Sequence, residues 1–235
     1  VARAVGDDWT AVYGFATIVA VATSLLVWGF VRVPTEAGGS APSLRALGTV
    51  PRWGYLLATY GGFGLSMSLF VNFFVARLRE DSGYATSTTG LIFATFGITT
   101  IFGGLMYAAL SDRIGRRRAM QLGFATMSGA SLLLLLGTGP WPWIAAAVFG
   151  LAFAGVPATT ATYLRDHLTA REFGSAFGVI TLAFGVGQLL APQIGGWLGD
   201  TLSSFTLVFV LAAAVAALAS LGCGRLSGTR LAATG

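Results

Sequence analysis

The sequence predicts an all-α polytopic membrane protein with seven transmembrane helices, and three observations carry that prediction. Of its 235 residues 55% are apolar and only 10% charged, against about a quarter charged in an ordinary soluble domain. The apolar residues gather into repeated uncharged runs of about twenty, the length that crosses bilayer hydrocarbon as a helix. The charges collect in the breaks between those runs, most densely at Ser111-Asp112-Arg113-Ile114-Gly115-Arg116-Arg117-Arg118. Leu91 to Leu110 before this island and Ala119 to Trp143 after it carry no charge. Two such runs with a short connection form a membrane hairpin, because backbone in lipid must satisfy its own hydrogen bonds.

The first span runs from Trp9 to Val33, preceded by Asp7-Asp8 and ended by Arg32 and Pro34. Residues 34–52 form a connection with Glu36, Arg45 and Arg52, in which Ser43 to Gly48 reads as a short surface helix. The second span runs from Trp53 to the neighbourhood of Leu78, with Asn72 inside it and Arg77 at its end. Arg79 to Ser87 is a polar loop, and Thr88 or Thr89 can cap a third span that ends at Leu110. The fourth span runs from Ala119 to the region of Thr138. Gly139-Pro140-Trp141 turns into a fifth span over 142–164, where Pro142 suits the first helical turn. After the polar stretch Arg165 to Glu172 come a sixth span, Phe173 to Leu198, and a seventh, Ser203 to Cys223. A small tail carries Arg225 and Arg230.

All fourteen basic residues are arginine, and the sequence pI is near 10.0. This charge lies in short breaks between spans, so it reads as a topology signal and no nucleic-acid partner is expected. With the island inside, eleven arginines fall on the inner side and three, Arg3, Arg77 and Arg79, on the outer side. That bias places the C-terminus in the cytoplasm. Arg77 is expected to snorkel to lipid headgroups.

No enzyme chemistry is expected. His167 is the one histidine, in a charged loop beside Arg165 and Asp166, and Cys223 is the one cysteine. Neither has a partner at metal-ligand or nucleophile spacing, so no catalytic residue, metal or cofactor is assigned. No acid or histidine lies inside a span. Asp112 is the only acid among the island's four arginines, and can pair with one of them to latch an arrangement of helices.

The island also resembles the loop signature of the major facilitator superfamily, G-x-x-x-D-R-x-G-R-R. Here it reads Ala108-x-x-x-Asp112-Arg113-x-Gly115-Arg116-Arg117, with alanine in place of the first glycine. In that family the loop joins helices two and three, and again eight and nine. Counting spans outward from the island implies that this chain corresponds to helices six to twelve. Residues 1–33 would then be helix six, 34–52 the cytoplasmic linker between halves, 53–225 the C-terminal six-helix bundle and 226–235 a cytoplasmic tail. The run Gly187-x-x-x-Ala191-Pro192-x-x-Gly195-Gly196 resembles a packing and hinge motif of the family's helices five and eleven. The neighbourhood Phe184-Gly185-Val186-Gly187-Gln188 resembles a bacterial branch of YbfB/YjiJ type.

The resemblance implies a secondary active transporter in a bacterial inner membrane, moving a small solute by alternating access. Asp112, Arg113, Gly115, Arg116 and Arg117 would form the gating motif; Gly187, Pro192, Gly195 and Gly196 would pack or bend the sixth span. The second, third, fifth and sixth spans would line the central cavity. Polar side chains within them, Tyr60, Asn72, Thr159 and Gln188, are the candidate solute contacts, since polar groups at membrane depth tend to face a cavity. Membrane lipids, the solute, and a missing N-terminal half or a second copy are the expected partners. The start at Val1, without Met, suggests a piece of something larger. The rival expectation is a truncated membrane scaffold that does not transport.

Overall fold

The computed structural model describes residues 9–30 and 43–227, and among these every regular element is helical. Expectations for Arg3, Asp7-Asp8, Arg32, Pro34, Glu36 and Arg230 lie outside the described residues. The chain divides into two compact units, residues 1–39 and 40–235. The first contains α1 (Trp9–Phe30), 22 residues without a charge. Two of its polar side chains are neutralised locally: Thr23 and Ser24 donate to the carbonyls of Val19 and Ala20, each at 2.8 Å.

The second unit opens with α2 (Leu44–Gly48), capped by the Ser43 hydroxyl. Six long helices follow: α3 (Trp53–Ala76), α4 (Thr86–Ile114), α5 (Arg116–Leu133), α6 (Trp141–Arg165), α7 (Ala170–Leu202) and α8 (Thr206–Cys223). All six are long and apolar enough to cross a membrane. A π-helical turn, Arg77–Asp81, extends α3, and a 3-10 turn, Leu134–Leu136, extends α5. α4 starts at Thr86 with Ala85 at its N-cap, not at a Thr88 or Thr89 cap, and Thr89 is buried. α7 starts earlier than the apolar run implies, because Thr169 and Glu172 form a capping box.

Six packed pairs make the bundle: α3 against α7 and α8, α6 against α4 and α5, α5 against α8, and α4 against α5 at one end. Exchange α3 with α6, α4 with α7, and α5 with α8, and the four strongest lateral contacts and the central one map onto each other. α3 and α6 run in opposite directions, so the two three-helix units are inverted repeats. Their crossings use the same device at the same place. Gly103 and Gly187 are each the eighteenth residue of α4 and α7. A Cβ on Gly103 would collide with the Leu151 carbonyl on α6, and one on Gly187 with the Gly61 carbonyl on α3. In lipid, where apolar burial drives little, such close backbone approach is what holds helices together.

The core lies between α3, α5, α6 and α8, with Phe70 of α3 stacked on Phe149 of α6 at 3.6 Å between ring centroids. α4 and α7 are the outer helices: Ile98, Ile101 and Leu105 on one, and Leu182, Val186 and Leu189 on the other, are exposed.

Candidate functional site

The charged island joins α4 to α5 through Gly115, whose φ of +88° is a backbone state that side chains other than glycine disfavour. This turn points Arg116 back across the helix ends. Arg116 pairs with Asp112 one turn earlier, donates to Ser111 Oγ at 2.7 Å, and reaches Asp166 Oδ2 at the end of α6 at 3.2 Å. Arg117 donates to the Leu226 carbonyl beyond α8, at 3.5 Å. Arg113 is exposed. Asp112 therefore engages an arginine of its own loop, and Arg116 ties three helix ends together. Sequence reading missed Asp166, since fifty positions of separation leave no local signal.

Between α3, α4, α6 and α7 lies a continuous array of aromatic rings. Tyr60 sits 5.6 Å from Phe63, 6.4 Å from Phe177 and 5.7 Å from Phe184. Phe63 meets Phe153 at 6.4 Å, Phe153 meets Phe96 at 5.3 Å, and Phe96 meets Phe93 at 5.5 Å. Phe93, Phe153, Phe177 and Phe184 are half-buried, so the array forms a partly open apolar face without a charge in it. The heptad spacing of Phe177 and Phe184 is the sequence signal for one shared face of α7.

Of the candidate solute contacts, Tyr60 is at the centre of this array and 6% exposed. Gln188 is exposed one turn beyond Phe184 on the same face of α7. Asn72 is exposed about a third of a turn round α3 from Tyr60. Thr159 is fully buried and donates to Gly155 and Val156 of its own helix at 2.9 and 3.0 Å. The structure thus brings Tyr60 and Gln188 to one face and leaves Asn72 and Thr159 away from it. In the α7 motif, Gly187 meets α3 and a Cβ on Gly195 would collide with the Phe73 ring, whereas Gly196 faces open space and Pro192 is exposed.

The far end of the bundle holds a feature that corrects the reading of Arg77. It is buried, not snorkelling. The π turn places Asp81 one turn on, and Arg77 Nη1 meets Asp81 Oδ2 at 2.7 Å. Arg77 also donates to the Leu135 carbonyl at 3.2 Å, while Asp81 accepts from Ser204 Oγ at 3.0 Å and the Phe205 amide at 2.8 Å. The ends of α3 and α5 and the start of α8 meet at this pair.

Inverted three-helix repeats, glycine-mediated crossings and charge at the ends of the described helices define a polytopic membrane helix bundle. Residues 56–229, most of the chain, match the family model of the Major Facilitator Superfamily, and the chain belongs to that family. It is 30% identical over 143 residues to the class C tetracycline resistance protein of Escherichia coli, covering 59% of this chain and 34% of that protein. It is 29% identical over 174 residues to human solute carrier family 67 member A1, covering 71% and 40%. It is 27% identical over 167 residues to multidrug resistance protein 2 of Bacillus subtilis, covering 70% and 40%. The matched stretch spans well under half the length of these relatives.

Proposed function

We propose that the protein is a secondary active transporter of a small solute, working by alternating access, and that this chain supplies its C-terminal six-helix half. Residues 53–225 are the bundle, 34–52 the linker between halves, 1–33 the preceding helix and 226–235 a tail. The observation that carries the proposal is the partly open aromatic face where the two inverted repeats meet. A solute bound there faces the other half of the transporter, and the two halves rock about that midplane site. The face is uncharged, so it favours solutes with flat apolar surface, and Gln188 supplies one hydrogen-bonding group at its edge. Drug-type solutes of the kind named for the tetracycline and multidrug relatives fit that chemistry.

The exposed apolar sides of α4 and α7 are then covered by the other half of the transporter or by a second copy. The island ties, Arg116 with Asp112 and Asp166, hold one tilt of the bundle. Nine described arginines lie at the island end and two, Arg77 and Arg79, at the far end. By the positive-inside rule the island and the C-terminus face the cytoplasm, as in a bacterial inner-membrane protein. The test is flux of tetracycline and of ethidium in proteoliposomes carrying the protein made from its full reading frame. Protein-dependent flux of either, reduced several-fold by Phe184→Ala, is expected. Rates equal to protein-free vesicles for both contradict the proposal for this solute class.

A further inference from the structure

A groove with a volume of about 430 Å³ runs along the outside of the bundle between α3 and α8. It exists because both helices lack side chains at its floor, at Gly62 and Gly222, where α3 and α8 pass close enough that a Cβ on Gly222 would lie 2.8 Å from Thr59 Cγ2. Its rim is apolar and outward-facing: Leu218 and Leu221 are 67% and 69% exposed, and Tyr55 is 44% exposed. These are side chains that meet lipid tails in a membrane.

At the island end the groove closes on Arg225. Arg52 donates to the Arg225 carbonyl at 2.5 Å, and Arg117 to the Leu226 carbonyl, so two guanidinium groups lie where α8 ends, beside the groove-lining Arg225. The carbonyls beyond α8 occupy part of Arg52 and Arg117. The Arg225 side chain is exposed and has no partner among the described residues. The described acids of that end are taken elsewhere: Asp112 and Asp166 pair with Arg116, and Glu172 bonds to Thr169. Three arginines with no carboxylate paired to them among the described residues, at the mouth of an apolar groove and at the level of the membrane boundary, complement an anion carrying a hydrocarbon chain.

We propose that this groove is a binding site for an anionic phospholipid, one acyl chain lying over Gly62 and Gly222 and the phosphate held by Arg225 beside Arg52. The inference rests on the membrane location of the bundle and not on transport, so it fails separately from the transport reading.

The test is native mass spectrometry of the 235-residue chain from micelles holding equal amounts of dioleoyl phosphatidylglycerol and dioleoyl phosphatidylcholine. The wild type retains phosphatidylglycerol over phosphatidylcholine by about fivefold, the effect of one arginine near an anionic surface. Arg225→Gln, at an exposed side chain with no partner among the described residues, keeps the fold and brings the two lipids near parity. Ala58→Phe, which fills the groove, lowers retention of both. Inorganic phosphate in excess leaves the lipid bound. Parity in the wild type, an unchanged preference in Arg225→Gln, or displacement by phosphate alone overturns the proposal, the last by assigning a site for free anions.

Discussion

Arg116 reaches Asp166 at 3.2 Å and thereby ties the start of α5 to the end of α6. Both side chains are partly exposed, 21% and 34%, so water and salt weaken the pair and its contribution to stability is under about 1 kcal/mol. Asp166→Asn is therefore expected to lower the thermal unfolding midpoint slightly in low salt. That difference should vanish near 1 M salt, where the screening length is about 3 Å. Thermal scans at the two salt levels check this; a large loss independent of salt contradicts it.

On the other side of the same guanidinium, Asp112→Asn removes one of two carboxylates that hold Arg116. The expected result is slower transport with unchanged membrane insertion. Flux and membrane yield are measured side by side, and wild-type flux in the variant removes the latch from the account.

The Arg77–Asp81 pair belongs to the opposite regime. Its side chains are 10% and 9% exposed, and removing one member leaves a buried charge alone. Arg77→Met is expected to destabilise by about 3–5 kcal/mol, read as a lowered midpoint in denaturant. Asp81→Asn should be comparably damaging, since it also weakens the bonds to Ser204 and Phe205 that start α8.

Gly103→Leu and Gly187→Leu push a side chain into the backbone of the facing helix, with no flexible group to yield. Each is expected to abolish correct folding or lower the unfolding midpoint sharply, in line with overpacking costs of about 1–3 kcal/mol or more. Gly196→Leu meets nothing within 4 Å and serves as the contrast. Fluorescence-detected size exclusion of the three variants distinguishes them.

The spans and the island were legible because uncharged runs of membrane length have few alternative folds; Gly187 and Gly195 were singled out only through the likeness of their run to a packing motif. Arg77 was misread for a physical reason: an arginine ending an apolar run ordinarily extends to headgroups. Here a π turn delivers Asp81 to it instead, and hydropathy carries no trace of that turn. Thr159 was chosen as a polar side chain at membrane depth, yet its hydroxyl bonds to its own helix, the common fate of threonine in a span. The aromatic array left only a weak mark. Phenylalanine in a span reads equally as lipid-facing or packed, and the rings converge from four helices far apart in sequence.

Alternating access at the aromatic face is most directly tested at Gln188, which is exposed at the edge of that face. The one native cysteine, Cys223, is buried, so a Cys223→Ala background leaves Gln188→Cys as the reporter. A membrane-impermeant maleimide is applied to each side of oriented vesicles carrying the protein from its full reading frame. The account predicts labelling from both sides, with a transported solute shifting the balance between them. Labelling from one side only, whatever solute or gradient is present, would contradict it.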